Sequence, residues 1–382
     1  MKNITDYLQH HRDEIFADIR RLVSAESPSG DKAAVDRCGQ VLQEIFQQRL
    51  GLSAEVDPQP VQGDHLKFTL GNSGPQITLL GHFDTVWDHG DLVLREEDGK
   101  LYGPGVLDMK AGLVQAIWAV RALQQLQLLG DNRIVFLCNS DEEIGSPSSH
   151  QWISRQAEGS EYVLVVEPAE VGSGNLKVAR KGSGQYKLSI VGLAAHAGNN
   201  PEEGISAVQE MAHQVLFLHG LNDPARGTTV NVGIANGGSR TNVVADRAEL
   251  GIDTRTTSAT EAQRLHEIIT AIQPVMPGIS LTLSGGQTRP PMEQTAASRL
   301  LLERAQQVAN ALGFHIEGKS VGGGSDGNFT AALGIATLDG LGASGVGIHA
   351  RNEHIYLADV VPRAALLAGI ILGDREEDLC PQ

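Results

Sequence analysis

The sequence predicts an α/β fold in which a mostly parallel-sheet domain carries an inserted ferredoxin-like domain. Short apolar runs at 133–138 (RIVFLC) and 162–166 (YVLVV) alternate with helical patterns, which is typical of parallel strands covered by helices on both faces. Between about 182 and 286 the pattern changes to β-α-β-β-α-β, the element order of a ferredoxin-like sandwich. We therefore expect the larger domain at 1–180 and 288–382 and the insertion at 181–287.

Each predicted element rests on the spacing of its apolar residues. The N-terminal segment places Ile15, Ile19 and Leu22 at helical spacing, and the same criterion predicts five further helices. They are expected at 33–48, 113–128, 204–218, 261–272 and 296–312. Strands are predicted where apolar residues run together or alternate with polar ones. They are expected at 65–70, 76–82, 133–138, 162–166, 185–191, 228–234, 248–253 and 280–284.

Composition excludes several classes of partner. The 382 residues include 30 Lys and Arg and 46 Asp and Glu, which gives a formal charge of −16. Such a charge disfavours a nucleic-acid partner, whose phosphates are bound by Lys and Arg. The longest apolar stretch, 364–372, is about half of the ~20 residues that a membrane helix needs. We expect neither nucleic acid nor a membrane as partner.

Cysteine usage and the N-terminus indicate a cytoplasmic protein. The three cysteines, Cys38, Cys138 and Cys380, are too few for a disulfide framework, and none lies in a CxxC pair. This pattern is typical of a reducing compartment. The N-terminal segment carries charges throughout and lacks the apolar centre of a signal peptide.

Five polar segments follow predicted strands, where open α/β sheets place their ligands. Each alone has an ordinary explanation, because a His at a strand end is often structural and an acidic run is often only solvated. Together they offer two imidazoles and several carboxylates, a donor set that suits Zn, Mn or Co. A pair of divalent cations would offset the repulsion among the carboxylates. The donors are His82, Asp108, Glu142, Glu143, Glu167 and His349.

Ordered motifs along nearly the whole chain resemble the zinc-dependent exopeptidases and deacylases. This family includes carboxypeptidase G (glutamate carboxypeptidase), aminoacylase, acetylornithine deacetylase and succinyl-diaminopimelate desuccinylase, and the resemblance is closest to the carboxypeptidase G type. The motifs are GHFDTV (81–86), GPGVLDMKAG (103–112), DEEIGS (141–146), EP (167–168), HAG (196–198), GGSRTNVV (237–244), GGGSD (322–326) and HARNE (349–353).

The resemblance implies a binuclear metal site. His82 would bind one ion and His349 the other, Asp108 would bridge them, and Glu143 and Glu167 would each complete one coordination shell. The metals would be zinc, with cobalt or manganese as alternatives. The peptide between Asp108 and Met109 is expected to be cis. The later His354 is expected at the surface or behind the ligands, because the family spacing matches His349.

The resemblance also assigns roles in catalysis. Glu142 would be the general base, Asp84 would orient His82 through its second ring nitrogen, and His196 would donate a hydrogen bond to the oxyanion, often across a dimer interface.

Substrate contacts are predicted on the insertion and on the GGGSD motif. Arg255, just after the strand GIDT, matches the position where the resembling family keeps an Arg for the substrate carboxylate. Asn242 and Arg240 are expected as its companions, unless the arginines are surface ion-pair residues. Gly324 and Ser325, with Gly323, would offer backbone N–H groups.

These features predict a two-metal hydrolase that releases a C-terminal amino acid, with glutamate as one candidate, from an N-acyl or peptidyl substrate. The alternatives are an N-acyl-amino-acid deacylase or a dipeptidase with the same site, and a non-catalytic binder of amino-acid-like ligands. A homodimer through the inserted domain is expected, as is closure of that domain over the substrate.

Overall fold

The computed structural model describes residues 1–373, in which the chain forms two compact units. Unit 1 comprises Met1–Val178, Gln294–Ser320 and the described chain from Ser325, and unit 2 comprises Ala179–Glu293 and Val321–Gly324. Cys380 lies outside the described residues.

The helices and strands below are numbered in chain order. The helices are α1 (Lys2–His10), α2 (Arg12–Ser24), α3 (Lys32–Leu50), α4 (Ala111–Gln125), α5 (His150–Ala157), α6 (Ala207–His219), α7 (Ala259–Thr270), α8 (Ala296–Ala311), α9 (Gly327–Ala332) and α10 (Val360–Leu372). The strands are β1 (Glu55–Asp57), β2 (His65–Leu70), β3 (Gln76–His82), β4 (Arg95–Glu97), β5 (Lys100–Tyr102), β6 (Arg133–Asn139), β7 (Ser160–Val165), β8 (Leu176–Arg180), β9 (Gly182–Val191), β10 (Thr229–Gly237), β11 (Arg247–Thr256), β12 (Ser280–Arg289), β13 (Gly318–Val321), β14 (Ala336–Leu338), β15 (Gly345–Val346) and β16 (His354–Tyr356).

The main sheet of unit 1 has six strands in the order β1-β2-β6-β3-β7-β14. Strands β6, β3, β7 and β14 are parallel to one another, whereas β2 pairs antiparallel with β6 and β1 pairs antiparallel with β2 at one edge. The prediction of an α/β fold with a mostly parallel sheet is confirmed.

Both faces of this sheet are buried, which explains the continuous apolar runs of its strands. Along β3, Ile77 and Leu79 join the large core that includes α4 and α10, whereas Leu80 joins a second core with Trp152 of α5. Gly112 brings α4 close to the end of β7, because a Cβ there would lie 2.1 Å from the Val166 carbonyl oxygen.

Unit 2 contains a four-stranded antiparallel sheet in the order β10-β11-β9-β12. Its chain order, β9-α6-β10-β11-α7-β12, is β-α-β-β-α-β. The alternating pattern reflects burial of one sheet face, since Leu188, Leu250 and Ile252 pack in one core with Leu265 and Ile269 of α7. The ferredoxin-like prediction is confirmed.

Two local expectations are corrected by the structure. The N-terminal segment forms two helices, because His11 (φ −97°, ψ 14°) interrupts it between α1 and α2. Arg255 lies within β11, which continues to Thr256, and does not follow the strand. Among the described residues, no helix has both the length and the apolar character needed to cross a bilayer.

Candidate metal centre

Three segments of the candidate site begin where parallel strands of unit 1 end. His82 is the last residue of β3, and in the sheet it lies beside Asn139, the last residue of β6. Glu142 and Glu143 form a short 3-10 turn just after β6, and Glu167 follows β7 by two residues. Adjacent parallel strands end at the same sheet edge, so their first loop residues converge there.

Two turns bring the remaining donors to the same place. Asp108 lies in a turn at Val106–Lys110, directly before α4, and its peptide bond to Met109 is cis as predicted. His349 follows β15 and has φ 57°, a left-handed backbone conformation that non-glycine residues rarely adopt.

The side chains form two histidine–carboxylate groups that share Asp108. Asp108 Oδ1 lies 3.2 Å from His82 Nε2, and Oδ2 lies 3.3 Å from His349 Nε2. Glu167 Oε1 is 3.7 Å from the same His82 nitrogen, and Glu143 Oε2 is 3.0 Å from the His349 nitrogen. Each imidazole therefore faces one oxygen of Asp108 and one glutamate.

Asp84 is fully buried and fixes two neighbouring parts of the site. Its Oδ1 lies 3.3 Å from His82 Nδ1, the ring nitrogen that faces away from Asp108. It accepts hydrogen bonds from the backbone N–H groups of Glu142 (3.1 Å) and Glu143 (3.2 Å) and from Ser29 Oγ (2.7 Å). His82 Nδ1 also lies 3.1 Å from the backbone carbonyl oxygen of Asp84. Asp84 therefore holds the imidazole through both its backbone and its carboxylate, and the acidic turn through its carboxylate.

The electrostatics of the site follow from burial and from close opposite charges. Burial opposes charge on Asp108, but hydrogen bonds from His349 and His82 outweigh it and hold the pKa of Asp108 far below its usual value. Burial and the nearby Asp108 carboxylate raise the pKa of Glu143 to about 8. Hydrogen bonds to Asp108 and Glu143 raise the pKa of His349 to about 10. Protons and cations compete for such donors.

The donors fit divalent cations. Glu143 Oε1 is buried and has no hydrogen-bond partner among residues 1–373, a costly state for a carboxylate oxygen unless a cation or water faces it. Donor atoms of His82, Asp108 and Glu143 lie within 4.8 Å of one another, as do those of His82, Glu142 and Glu167. Imidazole and carboxylate without thiolate suit Zn, Co or Mn.

His196 lies in unit 2 and is exposed. Its Nδ1 accepts hydrogen bonds from the backbone N–H groups of Gly198 (3.1 Å) and Asn199 (3.0 Å). The neutral ring therefore carries its proton on Nε2, which is the nitrogen left to act as a donor. The next residue, Ala197, donates from its backbone N–H to the Asn242 carbonyl, so the HAG and RTNVV motifs are adjacent in unit 2.

The predicted substrate-binding residues differ in their hydrogen bonds and in their exposure to solvent. Arg255 donates from Nε (2.9 Å) and Nη2 (3.0 Å) to the carboxylate of Asp253, two residues earlier on β11. Arg240 and Asn242 are exposed, and Gly324 is half-buried. These four residues belong to unit 2.

Ser325, in contrast, is buried in unit 1 and makes its hydrogen bonds there. It is fully buried, its N–H donates to Asn328 Oδ1 (3.0 Å) and its Oγ donates to Asp339 Oδ2 (2.5 Å).

Comparison with known proteins gives the family. The family model for Peptidase family M20/M25/M40 matches residues 78–373. The chain belongs to this peptidase family.

Individual relatives agree with this M20 assignment. Carboxypeptidase G2 of Pseudomonas sp. (strain RS-16) is 27% identical over 372 residues, which cover 94% of this chain and 89% of that protein. Acetylornithine deacetylase of Proteus mirabilis (strain HI4320) is 28% identical over 285 residues, 68% of this chain and 72% of that protein. The crystal structure of aminopeptidase PepT from Bacillus cereus ATCC 10987 has the same fold, with a TM-score of 0.79, 24% identity and coverage of 94% of this chain and 98% of that one.

Membership of the M20 family makes the protein a metallopeptidase-type hydrolase, and its chemistry is the hydrolysis of amide bonds in peptides or acyl amino acids.

Sequence reasoning missed two supports of this M20 site and left the place of one histidine open. Ser29, in the turn after α2, donates to Asp84, and Lys110 is fully buried and donates from Nζ to the Ala25 carbonyl (2.8 Å). A lysine inside the GPGVLDMKAG motif was the available signal. His354 was expected at the surface or behind the ligands; it is buried in β16, beside the ring of Tyr102.

Proposed function

We propose that the protein is a two-metal hydrolase that cleaves an amide bond and releases a C-terminal amino acid from an N-acyl or peptidyl substrate. The observation that carries this proposal is the division of the Asp108 carboxylate between two histidine–glutamate groups. His82, Asp108 and Glu167 would hold one ion, and His349, Asp108 and Glu143 the other. The donor chemistry favours zinc, with cobalt and manganese as alternatives.

When bound, two such cations supply positive charge that acidifies a water molecule and polarises the scissile carbonyl. Glu142 supplies the base: its carboxylate takes the proton of the attacking water and delivers it to the leaving nitrogen. Its position supports this role, because a carboxylate oxygen of Glu142 lies within 4.8 Å of donor atoms of His82 and Glu167, while its backbone is fixed by Asp84. Asp84 keeps His82 turned towards Asp108.

Unit 2 would supply the substrate contacts. His196 would donate from Nε2 to the oxyanion of the tetrahedral intermediate, and its ring tautomer supports this role. Arg255, with Arg240, Asn242 and Gly324, would bind the carboxylate of the released amino acid. Arg255 would have to exchange Asp253 for the substrate carboxylate or share its guanidinium between them. Ser325 is a weaker candidate, because both of its donors are engaged within unit 1.

The released amino acid is proposed to be glutamate, because the motifs resemble those of the glutamate carboxypeptidase (carboxypeptidase G) type. The second candidate is an N-acyl-amino-acid deacylase or a dipeptidase with the same site, which the similarity to acetylornithine deacetylase favours. A catalytically silent binder of amino-acid-like ligands is the third, and the complete donor set with Glu142 argues against it.

We propose that the enzyme works in the cytoplasm; Cys38 and Cys138 are free thiols.

We further propose a homodimer through unit 2. Strand β10 is an edge strand of its four-stranded sheet, and edge strands are natural pairing sites. The outer side of α6 exposes Leu216 (75%) and Phe217 (45%), although the helix buries Ala207 and Leu218.

The experiment compares purified, zinc-loaded protein with a Glu142→Gln variant on N-acyl glutamates, other N-acyl amino acids and dipeptides. We expect hydrolysis by the wild type and a loss of kcat of about 10²–10⁴-fold in the variant, the usual contribution of a general base, with an unchanged zinc content. Glu303→Gln, an exposed glutamate of α8, is the matched control and should keep full activity.

Three outcomes separate the candidates. Turnover of acyl glutamates above all other substrates supports the carboxypeptidase, and preference for other acyl groups or dipeptides selects the second candidate. Ligand binding without turnover selects the silent binder. A zinc-loaded Glu142→Gln enzyme with wild-type kcat would remove Glu142 from the mechanism.

A further inference from the structure

Glu353 is a buried carboxylate that none of the roles above uses. Only 1% of its surface is exposed. Its two oxygens accept four N–H donors in pairs: Oε1 faces the backbone N–H groups of Leu107 (2.9 Å) and Asp108 (3.2 Å), and Oε2 faces Trp87 Nε1 (2.5 Å) and the N–H of Gly105 (3.4 Å). Burial raises the pKa of the Glu353 carboxyl, and these hydrogen bonds oppose that rise; all four contacts are N–H donors directed at carboxylate oxygens.

Three of the four donors belong to the turn that carries Asp108. This turn departs from helical geometry, since Gly105 has φ 67° and Asp108 has φ −115° and ψ 95°. Its N–H groups at 105, 107 and 108 point to one centre because the chain bends around the Glu353 carboxylate. A carboxylate that gathers several N–H groups of one loop fixes the path of that loop, because charge-assisted hydrogen bonds are about twice as strong as neutral ones.

The backbone of Glu353 belongs to the turn that carries His349. Ala350 N–H donates to the Gly347 carbonyl (2.9 Å), and Glu353 N–H donates to the Ala350 carbonyl (2.8 Å). The turn is tightly packed, because a Cβ on Gly347 would lie 2.9 Å from the Glu353 nitrogen. Glu353 therefore joins the turn of His349 to the turn of Asp108. In the site, His349 Nε2 lies 3.3 Å from Asp108 Oδ2.

We propose that Glu353 is a positioning residue which, with Trp87, sets the distance between Asp108 and His349 and thereby the affinity of the metal pair. This proposal rests on the metal site of the proposed function. Glu353 itself is not proposed as a ligand, since its oxygens are directed at N–H groups. Trp87 provides the fourth N–H donor to the carboxylate. It is the only one of the four that comes from a side chain, so a conservative substitution can remove this hydrogen bond alone.

The test uses the full-length protein with Glu353→Gln, Trp87→Phe and, as a control, Glu55→Gln, an exposed glutamate of unit 1 paired with Lys67. Zinc affinity is measured by competition with a chromogenic chelator, and the melting temperature is recorded with and without zinc. The glutamine amide would direct an NH₂ group at N–H donors. We expect zinc binding to weaken about 10–100-fold, the usual effect of losing a group that orients ligands. Trp87→Phe should weaken it less, and Glu55→Gln should not change it.

The melting temperature separates positioning from general stabilisation. A positioning residue predicts that zinc raises the melting temperature less in Glu353→Gln than in the wild type, and that kcat falls while KM changes little. A merely structural residue would lower the melting temperatures with and without zinc by the same amount and leave zinc affinity intact.

Two results would overturn the proposal. One is wild-type zinc affinity in folded Glu353→Gln; if that variant does not fold, wild-type affinity in Trp87→Phe decides against it. If the wild-type protein itself binds no zinc, cobalt or manganese, the proposed function fails instead, so the two failures are distinguishable.

Discussion

At the scale of single residues, Asp84 contacts two parts of the site without being one of its proposed ligands. It faces His82 Nδ1 and accepts three hydrogen bonds, from Ser29 and from the two acidic residues that follow β6. Its position explains the carboxylate two residues after the histidine in the motif GHFDTV. The same side chain contacts the imidazole of His82 and the backbone of the acidic turn.

Replacing Asp84 by Asn is expected to disturb metal binding and stability together. The amide keeps one acceptor oxygen, and its NH₂ group would meet N–H or O–H donors. We expect zinc affinity to fall about 10–100-fold and the free energy of unfolding to fall by about 1–3 kcal/mol, measured by chelator competition and urea unfolding. Asp88→Asn, at an exposed position nearby, is the control. Unchanged zinc affinity in Asp84→Asn would show that His82 needs no orienting carboxylate.

At the scale of elements, a buried glutamate at the start of α7, paired with two more exposed arginines, should make unit 2 sensitive to acid. Glu261, in the first turn of α7, accepts hydrogen bonds from Arg264 (2.8 Å to Nε) and Thr228 Oγ1 (2.7 Å), and Arg226 lies 3.4 Å away. The hydrogen bond from Arg264 is the main reason that the pKa of Glu261 is lowered to about 2.

The sign of the pH dependence follows from this lowered pKa. Because the native pKa lies below the ordinary value of 4.5, the carboxylate stabilises unit 2 fully above about pH 4.5, and this contribution is lost as the pH falls towards 2. Glu261→Gln should therefore reduce the hydrogen-exchange protection of α7 at pH 7 and have little effect near pH 2. Glu267→Gln, exposed on the same helix, is the control; equal effects of Glu261→Gln at both pH values would contradict the assignment.

The elements that the sequence predicted well are those whose residues are buried on a regular period. The strands of unit 2 show this, because β9 and β11 bury every second residue. The break at His11 was not predictable, since apolar spacing continues on both sides of it and only the backbone of one residue changes. The end of β11 was missed because Thr254 and Thr256, though polar, are buried.

In the candidate site, too, features set by nearby residues could be predicted, whereas contacts between residues far apart in the chain could not. The donor types and their order were predicted from the family resemblance, which also predicted the cis peptide that the structure has after Asp108. The partners Ser29 and Trp87 were not, because their contacts to Asp84 and Glu353 span 55 and 266 residues of the chain. The engagement of Arg255 by Asp253 depends on side chains two residues apart on one strand face, a pairing that spacing alone does not distinguish from two solvated charges.

At the scale of the whole molecule, the oligomeric state is the property most open to test. The proposed dimer uses the edge strand β10 and the outer side of α6, where Leu216 is 75% exposed. Sedimentation velocity should give twice the chain mass of 40.7 kDa. Leu216→Glu should shift the protein towards monomer, whereas Leu300→Glu, 67% exposed on α8, should not. A wild-type protein that sediments as a monomer at micromolar concentration would exclude the dimer.

The division of unit 1 between distant parts of the chain has a consequence for how the protein is made. Helix α10, which is buried along nearly its whole length, packs in the same core as α4 and α1. At about 5–20 residues per second of synthesis, the ribosome completes nearly all of unit 2 well before α10 emerges. The nascent chain must therefore keep an unfinished apolar surface from its first half in water until α10 is synthesised and can pack against it.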